Sequence, residues 1–492
     1  MAINTIEKLE RAKRRGYFRS VDLFAGCGGM TLGFDRAGFR CSAAVEIDDQ
    51  ARATHSLNFG NHRGPSEYQC FSDITKTSPS DAVKHLTSLL EGPEDVIDLV
   101  IGGPPCQAFS RLGRARLWEL SGERYAHQHD ERATMYQYFL EYVTRLQPLA
   151  FVMENVREIG KFVGRNVAEE IAVTAEELGY EVRYTLLNAA WFGVPQLRER
   201  AFIVGVRKEL GVIPTFPKIT HRYQLPVGYS TARAGTGRVE FLSPHDHYVD
   251  HLEYSARTKK AVTASQAFED LPPIYEHLDG RVGKGIPRSA TTLGNYLTKK
   301  SSFTQIMRSW PGYEASSAQF SGHVIRYTPR DYEIFRRMPT GGMYPDAHRT
   351  AMEIFAERVS AEEIRRGAKI RKGSAAWNEI YKATVPPYPI DKYPNKFRKM
   401  WPDHPARTLP AHLGKDSYSH IHFDSDQARC ISLREAARLQ SFPDAFKFAG
   451  TMNPSLKQIG NAVPPLLAFA VASKLREMLE PCTAAKSESH EG

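Results

Sequence analysis

Cys106, Glu154, Arg198 and Arg200 combine residue types and settings suited to covalent and electrostatic chemistry. Cys106 lies in Gly-Gly-Pro-Pro-Cys-Gln-Ala-Phe-Ser, residues 102–110, directly after the apolar run Leu99-Val100-Ile101. Such a run, closed by two glycines, reads as a buried parallel strand that ends in a sharp turn. In an open α/β sheet, ligands bind beyond the carboxyl ends of the strands. Pro104 and Pro105 fix their own φ and restrict the residue ahead of each, so the thiol is presented on a stiff loop. A free cysteine is otherwise most often a small buried apolar residue. Glu154 follows a second buried run, Leu149 to Met153, and stands as a carboxylate on the same edge, one strand away from Cys106. In the extended stretch Gln196-Leu197-Arg198-Glu199-Arg200, alternation turns Gln196, Arg198 and Arg200 to one face, as the wall of a site would require.

The elements that must position these groups begin with Ser20 to Ala25, read as a first buried strand. Gly26-Cys27-Gly28-Gly29 is a glycine turn, and helical spacing runs from Met30 to Ala37. Strand, glycine turn and helix open a nucleotide-type βαβ unit, but the spacing is not G-x-G-x-x-G, which disfavours a dinucleotide. A second strand, Ser42 to Val45, ends at Glu46, where an acid can accept both hydroxyls of a ribose. Asp48 and Asp49 follow and can cap the next helix. Asp73 ends a third strand. These carboxylates fit an adenosine ligand without phosphates, such as S-adenosylmethionine.

Residues 111–132 are polar, without an apolar period, and read as a lid over the site. Helix 133–146, strand 149–153, helix 167–178, strand 181–188 and strand 201–206 continue the alternation, which stops near residue 210. Residues 274–395 are rich in Gly, Pro, Tyr and basic side chains with weak periodicity, a candidate second domain. Order returns over 407–448, with a helix at 433–439. Gln458 to Pro465 reads as a tight loop, 466–479 as an apolar helix, and the residues past Pro481 as a disordered tail.

The 492 residues suggest two or three domains. Six scattered cysteines, without CxxC or histidine pairs at ligand spacing, argue against a disulfide framework or a zinc site and fit a reducing cytosol. No apolar stretch is long enough to span a membrane, and the charged N-terminus, whose Arg11, Lys13, Arg14 and Arg15 read as the solvated face of a leading helix, is no secretory signal. The net charge of +9 is uneven: residues 281–400 hold 22 Lys and Arg against 10 Asp and Glu, a local +12. Nucleic acid is the natural polyanionic partner for that segment.

In this order the pieces resemble the cytosine-5 DNA methyltransferase family of the bacterial modification type. DLFAGCGG resembles its cofactor loop, GGPPCQAFS its catalytic Pro-Cys loop, MENV its glutamate motif and QLRER its arginine motif. SLREAARLQSFPDAF and QIGNAVPP resemble its last two motifs. The resemblance covers about residues 19–210 and 396–475. It implies an α/β fold: a Rossmann-like S-adenosylmethionine-dependent methyltransferase domain and a smaller target-recognition domain, with the DNA cleft between them. The implied boundaries are an extension at 1–18, a catalytic domain at 19–273, a target-recognition domain at 274–395, a returning segment at 396–480 that completes both, and a tail at 481–492.

The resemblance further implies methyl transfer to C5 of a flipped-out cytosine in a specific duplex sequence, through a covalent bond between Cys106 and C6. Glu154 would share a proton with N3, Arg200 would hold the base carbonyl and Arg198 would support the site. Phe24, Gly26, Gly28, Gly29, Glu46, Ile47, Asp73, Ile74, Pro104, Asn461 and Val463 would bind S-adenosylmethionine, with Phe24 on the adenine, Glu46 on the ribose and Asp73 on the adenine amino group. The implied partner is double-stranded DNA. The implied setting is a cytoplasmic monomer, compatible with a companion restriction endonuclease that acts separately. A tRNA methyltransferase with the same core and a catalytically silent DNA-binding relative are the competing readings. The large basic segment speaks against the first, and the intact Cys106, Glu154 and Arg200 against the second.

Overall fold

The computed structural model describes residues 5–60, 66–89, 96–105, 135–161, 165–223, 247–249, 253–280, 293–298, 301–315, 319–394, 396–415 and 417–481. Cys106, the rest of its loop to Ser110, the 111–132 segment and the tail from 482 lie outside these residues.

Seven strands form the central sheet: β1 Phe18–Leu23, β2 Phe39–Val45, β3 Gln69–Phe71, β4 Leu99–Gly102, β5 Ala150–Asn155, β6 Tyr180–Asn188 and β7 Glu199–Arg207. Their spatial order is β3-β2-β1-β4-β5-β7-β6. The first five are parallel, and β7 is antiparallel to both β5 and β6. β4 and β5 are buried along their whole lengths, as a strand covered on both faces must be, which is why they read as continuous apolar runs. Alternate residues (Val21 and Leu23, Phe151 and Met153, Ala201 and Ile203) join one core with Phe139 and Val143 of helix 135–146 and Ile171 and Ala175 of helix 167–177.

The first strand closes at Leu23 rather than Ala25, because Phe24 leaves the extended region with φ of 58°. The leading helix, Thr5–Arg15, forms as expected: Arg14 is on its solvated face, while Lys8, Leu9 and Ala12 are buried. Buried Lys8 donates to the carbonyls of Leu146 and Gln147 at 3.2 and 2.9 Å, and Arg15 pairs with Asp98. The run 458–465 is mostly helix rather than a tight loop. Residues 458–461 finish helix Met452–Asn461, whose Leu456 and Ile459 are buried, and helix Pro465–Leu479 starts after three intervening residues with proline in its first turn.

The chain divides into two compact units. The first holds residues 1–261, 447–449 and 462–492; the second holds 262–446 and 450–461. This division falls at 261, so residues 262–273 group with the second unit. Helix Pro465–Leu479 returns to the first unit and crosses helix Gly29–Arg36 at Gly33. A Cβ at Gly33 would lie 2.5 Å from the Ala468 Cβ and 2.6 Å from the Pro465 carbonyl oxygen. Only glycine lets the two backbones approach so closely.

The second unit contains a long helix, Tyr344–Arg366, and a shorter one, Ala375–Thr384, within the stretch whose periodicity is weak in sequence. The long helix buries Tyr344, Ala347, Ala351, Ile354 and Phe355, but its last turns face solvent and carry Ile364 at 82% exposure, so the apolar stripe fades halfway. Its ion pairs are built inside the fold as well as on its surface. Arg438 is fully buried between Asp270 and Asp444, and Arg429 grips Glu435 through two bonds of 2.7 Å.

Gly33→Ala tests the helix crossing. In an open helix the change stabilises by about 1 kcal/mol. Here overpacking should outweigh that gain and leave the protein about 1–3 kcal/mol less stable in urea unfolding. A stabilised variant would contradict the close approach.

Candidate active site

Register brings the candidate residues to one edge. Leu23 pairs with both Val45 and Gly102, and Gly102 pairs with Met153. The residues just past these positions, Phe24, Glu46, Gly103 and Glu154, therefore project from the same carboxyl edge of the sheet. The antiparallel strand then delivers residues from its beginning to that edge: Glu154 faces Phe202 and Asn155 faces Ala201, so Arg200 and Arg198 arrive beside Glu154.

Arg200 Nε lies 2.8 Å from Glu154 Oε1, and both side chains are nearly buried. Burial pushes the Glu154 carboxyl above its ordinary range, while the charges of Arg200 and Arg198 pull it down. Glu154 Oε2 also lies against the loop that leads to Cys106, where a Cβ on Gly103 would stand only 3.0 Å away. Asn155 Nδ2 donates to the Pro104 carbonyl at 3.2 Å. Asn155 thus fastens the start of the Pro-Cys loop to the strand that carries Glu154, a role absent from the expectations drawn from sequence. The asparagine after Glu154 was visible, but only pairing could show where its amide points. Glu199 alternates away from this group and pairs with Arg157 at 3.0 Å. Gln196 is fully buried in its own short strand before β7.

Toward β1 and β2 the edge has a different character. Glu46 Oε2 accepts the Gly26 N–H at 2.8 Å and Oε1 accepts the Asp48 N–H at 2.7 Å. The carboxylate is thereby aimed between the glycine loop and the next helix. Asp48 caps helix Asp49–His55 through the N–H groups of Gln50 and Ala51, as its position in sequence suggested. Ile47 stands 73% exposed next to Glu46, and Phe24 is held at a backbone angle uncommon for a side chain of its size. An apolar surface at Ile47 and Phe24 beside the oriented Glu46 carboxylate is chemistry that suits an adenosine moiety.

Asp73 accepts the N–H and hydroxyl of Thr75 at 3.0 and 2.7 Å, and those bonds hold its carboxyl below the ordinary range. It is an ionised acceptor at the end of the third strand. Ile74 is buried in the core and Pro104 is buried under its loop. Gly29 opens helix Gly29–Arg36 behind Gly28, its cap. Val463 is buried in the first unit, whereas Asn461 ends helix Met452–Asn461 in the second. Cys106 itself lies outside the described residues, and no distance to it enters this geometry.

Residues 18–477 match the C-5 cytosine-specific DNA methylase family. The chain is 35% identical over 461 residues to M.OihORF3336P of Oceanobacillus iheyensis, covering 94% of this chain and 95% of that one. It is 29% identical over 480 residues to the type II methyltransferase M.AgeI of Thalassovita gelatinovora, with 93% and 99% covered. The fold is similar to that of a prophage-encoded Escherichia coli protein of known crystal structure: TM-score 0.58, 21% identity, 94% of this chain and 99% of that chain covered.

Arg200→Gln probes the balance at Glu154. Removing the positive charge leaves burial to act with less opposition, so the Glu154 carboxyl should titrate at higher pH than in the wild type. Carbon-detected NMR of labelled glutamate would follow it. An unchanged or lower titration point would mean that Arg200 does not govern this carboxyl.

Proposed function

The chain belongs to the C-5 cytosine-specific DNA methylase family, and from that premise we propose how its residues carry out the reaction. It is a DNA (cytosine-5) methyltransferase whose methyl donor is S-adenosylmethionine. The substrate is a cytosine within a specific double-stranded sequence. Its reacting atoms are inaccessible in the stack, so the base is flipped out. The observation that carries this reading is the buried Glu154–Arg200 pair, set against the loop that leads to Cys106.

Cytosine C5 is a weak nucleophile. The Cys106 thiolate adds to C6, a C–S bond forms, and the displaced ring electrons make C5 nucleophilic. N3 takes up a proton as this happens, and Glu154 holds it there. Burial favours the protonated carboxyl and the two arginines favour the ionised one, a balance that suits a group sharing a proton. Arg200 engages the base carbonyl as the base displaces it from Glu154, and Arg198 steadies the charge. When bound, S-adenosylmethionine supplies a methyl group made electrophilic by its sulfonium. Phe24 and Ile47 cover the adenine, Glu46 binds the ribose, and Asp73 accepts from the adenine amino group. Gly26, Gly28 and Gly29 allow close approach of the backbone, while Ile74, Pro104 and Val463 support the pocket from behind. Loss of the C5 proton to water restores the ring double bond and expels Cys106 as thiolate, and N3 returns its proton to Glu154.

The basic segment, 281–395, supplies phosphate contacts and the choice of target sequence. The enzyme acts as a cytoplasmic monomer, a setting compatible with a companion restriction endonuclease that acts separately.

Bisulfite sequencing of genomic DNA from cells expressing the protein tests the activity. Wild type should leave 5-methylcytosine at one short sequence, and Cys106→Ser should leave none while still binding S-adenosylmethionine. Methylation by the serine variant would remove Cys106 from the mechanism; the absence of any mark from wild type would refute the reading.

A further inference from the structure

A chain of buried polar side chains runs beneath the glycine loop, and the reaction described above uses none of them. Asp22 Oδ2, in β1, lies 2.5 Å from the hydroxyl of Thr31, in helix Gly29–Arg36. The same hydroxyl lies 2.9 Å from Nε2 of His55, in helix Asp49–His55. His55 Nδ1 lies 2.6 Å from the Tyr68 hydroxyl, just ahead of β3. No member of the chain is more than 4% exposed. The Ser56 hydroxyl and the Cys70 thiol meet Tyr68 at the far end.

The glycine loop rests on this chain. A Cβ at Gly28 would stand 2.3 Å from the Phe59 ring and 3.1 Å from His55 Cδ2, so the loop backbone packs directly on the two rings. His55 is itself stacked against Phe59 with ring centroids 4.6 Å apart. Asp22 sits in β1, two residues before Phe24, which follows the end of that strand. Glu46, which holds the Gly26 N–H, acts on Asp22 through its charge.

Proton counting permits two arrangements of the same heavy atoms. Thr31 has one proton to give. With Asp22 ionised, Thr31 donates to Asp22, His55 donates from Nε2 to Thr31, and Tyr68 donates to Nδ1. With Asp22 protonated, every donor reverses: Asp22 donates to Thr31, Thr31 to Nε2, and Nδ1–H to Tyr68, which passes its own proton on toward Ser56 or Cys70. One proton at Asp22 therefore decides the tautomer of His55 on the other side of the Thr31 hydroxyl.

We propose that Asp22, Thr31, His55 and Tyr68 form a two-state hydrogen-bond relay whose polarity resets when the cationic cofactor enters the glycine loop, making these four positioning residues for S-adenosylmethionine. The inference rests on the reading of that loop as the cofactor site and adds a proton to the binding equilibrium. The groups facing Asp22 are Thr31 and His55 from the helices, Glu46 from the end of β2 and Cys27 within the loop. Burial and then the Glu46 charge push the Asp22 carboxyl up, against the Thr31 hydrogen bond, to about 7. A cation nearby favours ionised Asp22. Below that pH, binding must expel the proton, so affinity falls as pH falls, by up to about tenfold per unit. Above it, Asp22 is already ionised and affinity levels off.

Nitrogen-15 NMR of histidine-labelled full-length protein reads the relay without any turnover. Near pH 6.5, free protein should show His55 largely protonated on Nδ1, and saturating S-adenosylmethionine should shift it to Nε2; raising the pH to 8.5 should do the same without cofactor. Calorimetry with S-adenosylmethionine in two buffers of different ionisation heat should find proton release near pH 6.5 and little at pH 8.5. Thr31→Ser should keep this profile. Thr31→Val, which removes the donor to Asp22, should move it to higher pH and weaken binding at pH 7. One fixed tautomer from pH 5.5 to 8.5, with and without cofactor, would overturn the relay even if that cofactor binds. A failure to bind at every pH, alongside a tautomer that still switches with pH, would instead refute the assignment of the cofactor site and leave the relay without its proposed link.

Discussion

The reactive edge depends on one buried ion pair, Glu154 with Arg200. A carboxylate removed from water is costly unless a charged partner and good geometry compensate, and removing one partner of such a pair costs more than forming it gains. The partner lies at the start of its strand, Glu199–Arg207, and so needs a strand of opposite direction. If β7 ran parallel to β5, Arg200 would sit at the amino end of the sheet, about 20 Å from where it is needed over six residues of strand. Its antiparallel course places Arg200 and Arg198 at the carboxyl end of β5. The one reversal of direction in the sheet thus lets an otherwise ordinary nucleotide-type edge hold a carboxyl between burial, which favours its proton, and two arginines, which oppose it.

The remainder of the first unit keeps that edge rigid. β4 and β5 are buried throughout, so Gly103 and Glu154 meet with little freedom. Asn155 ties the Pro104 carbonyl to the same strand. Toward β1 and β2 the glycine loop is held by Glu46 at Gly26 and packs on His55 and Phe59 at Gly28. The unit closes only when the chain comes back: helix Pro465–Leu479 packs on the helix that follows the glycine loop, at Gly33. Residues more than 400 positions apart therefore stabilise one binding edge, and a large segment can lie between them without interrupting it.

Much of this was legible in sequence for definite reasons. Strands β4 and β5 announce themselves as unbroken apolar runs because both faces are covered, and the edge position of Glu154 follows from the end of such a run. Alternation in QLRER correctly separated Arg198 and Arg200 from Glu199. What stayed hidden depends on contacts distant in sequence. Nothing in SLREAARLQSFPDAF shows that Arg438 turns inward between Asp444 and Asp270, because Asp270 lies far upstream. Thr31, His55 and Tyr68 belong to no shared local pattern and meet only in the folded chain. The helix Tyr344–Arg366 escaped notice because half of it has no apolar face to declare.

The central claim is that Cys106 attacks the base while the carboxyl of Glu154 assists. DNA with fluorine at C5 of the target cytosine tests it directly, since the intermediate is released only when a proton leaves C5. The account predicts that the enzyme, given S-adenosylmethionine, becomes bonded to this DNA and migrates with it in denaturing electrophoresis. Glu154→Gln should form the adduct far more slowly, and Cys106→Ser not at all. An enzyme that methylates the normal site yet never becomes trapped on the fluorinated one would contradict the covalent path and the role given to the buried pair.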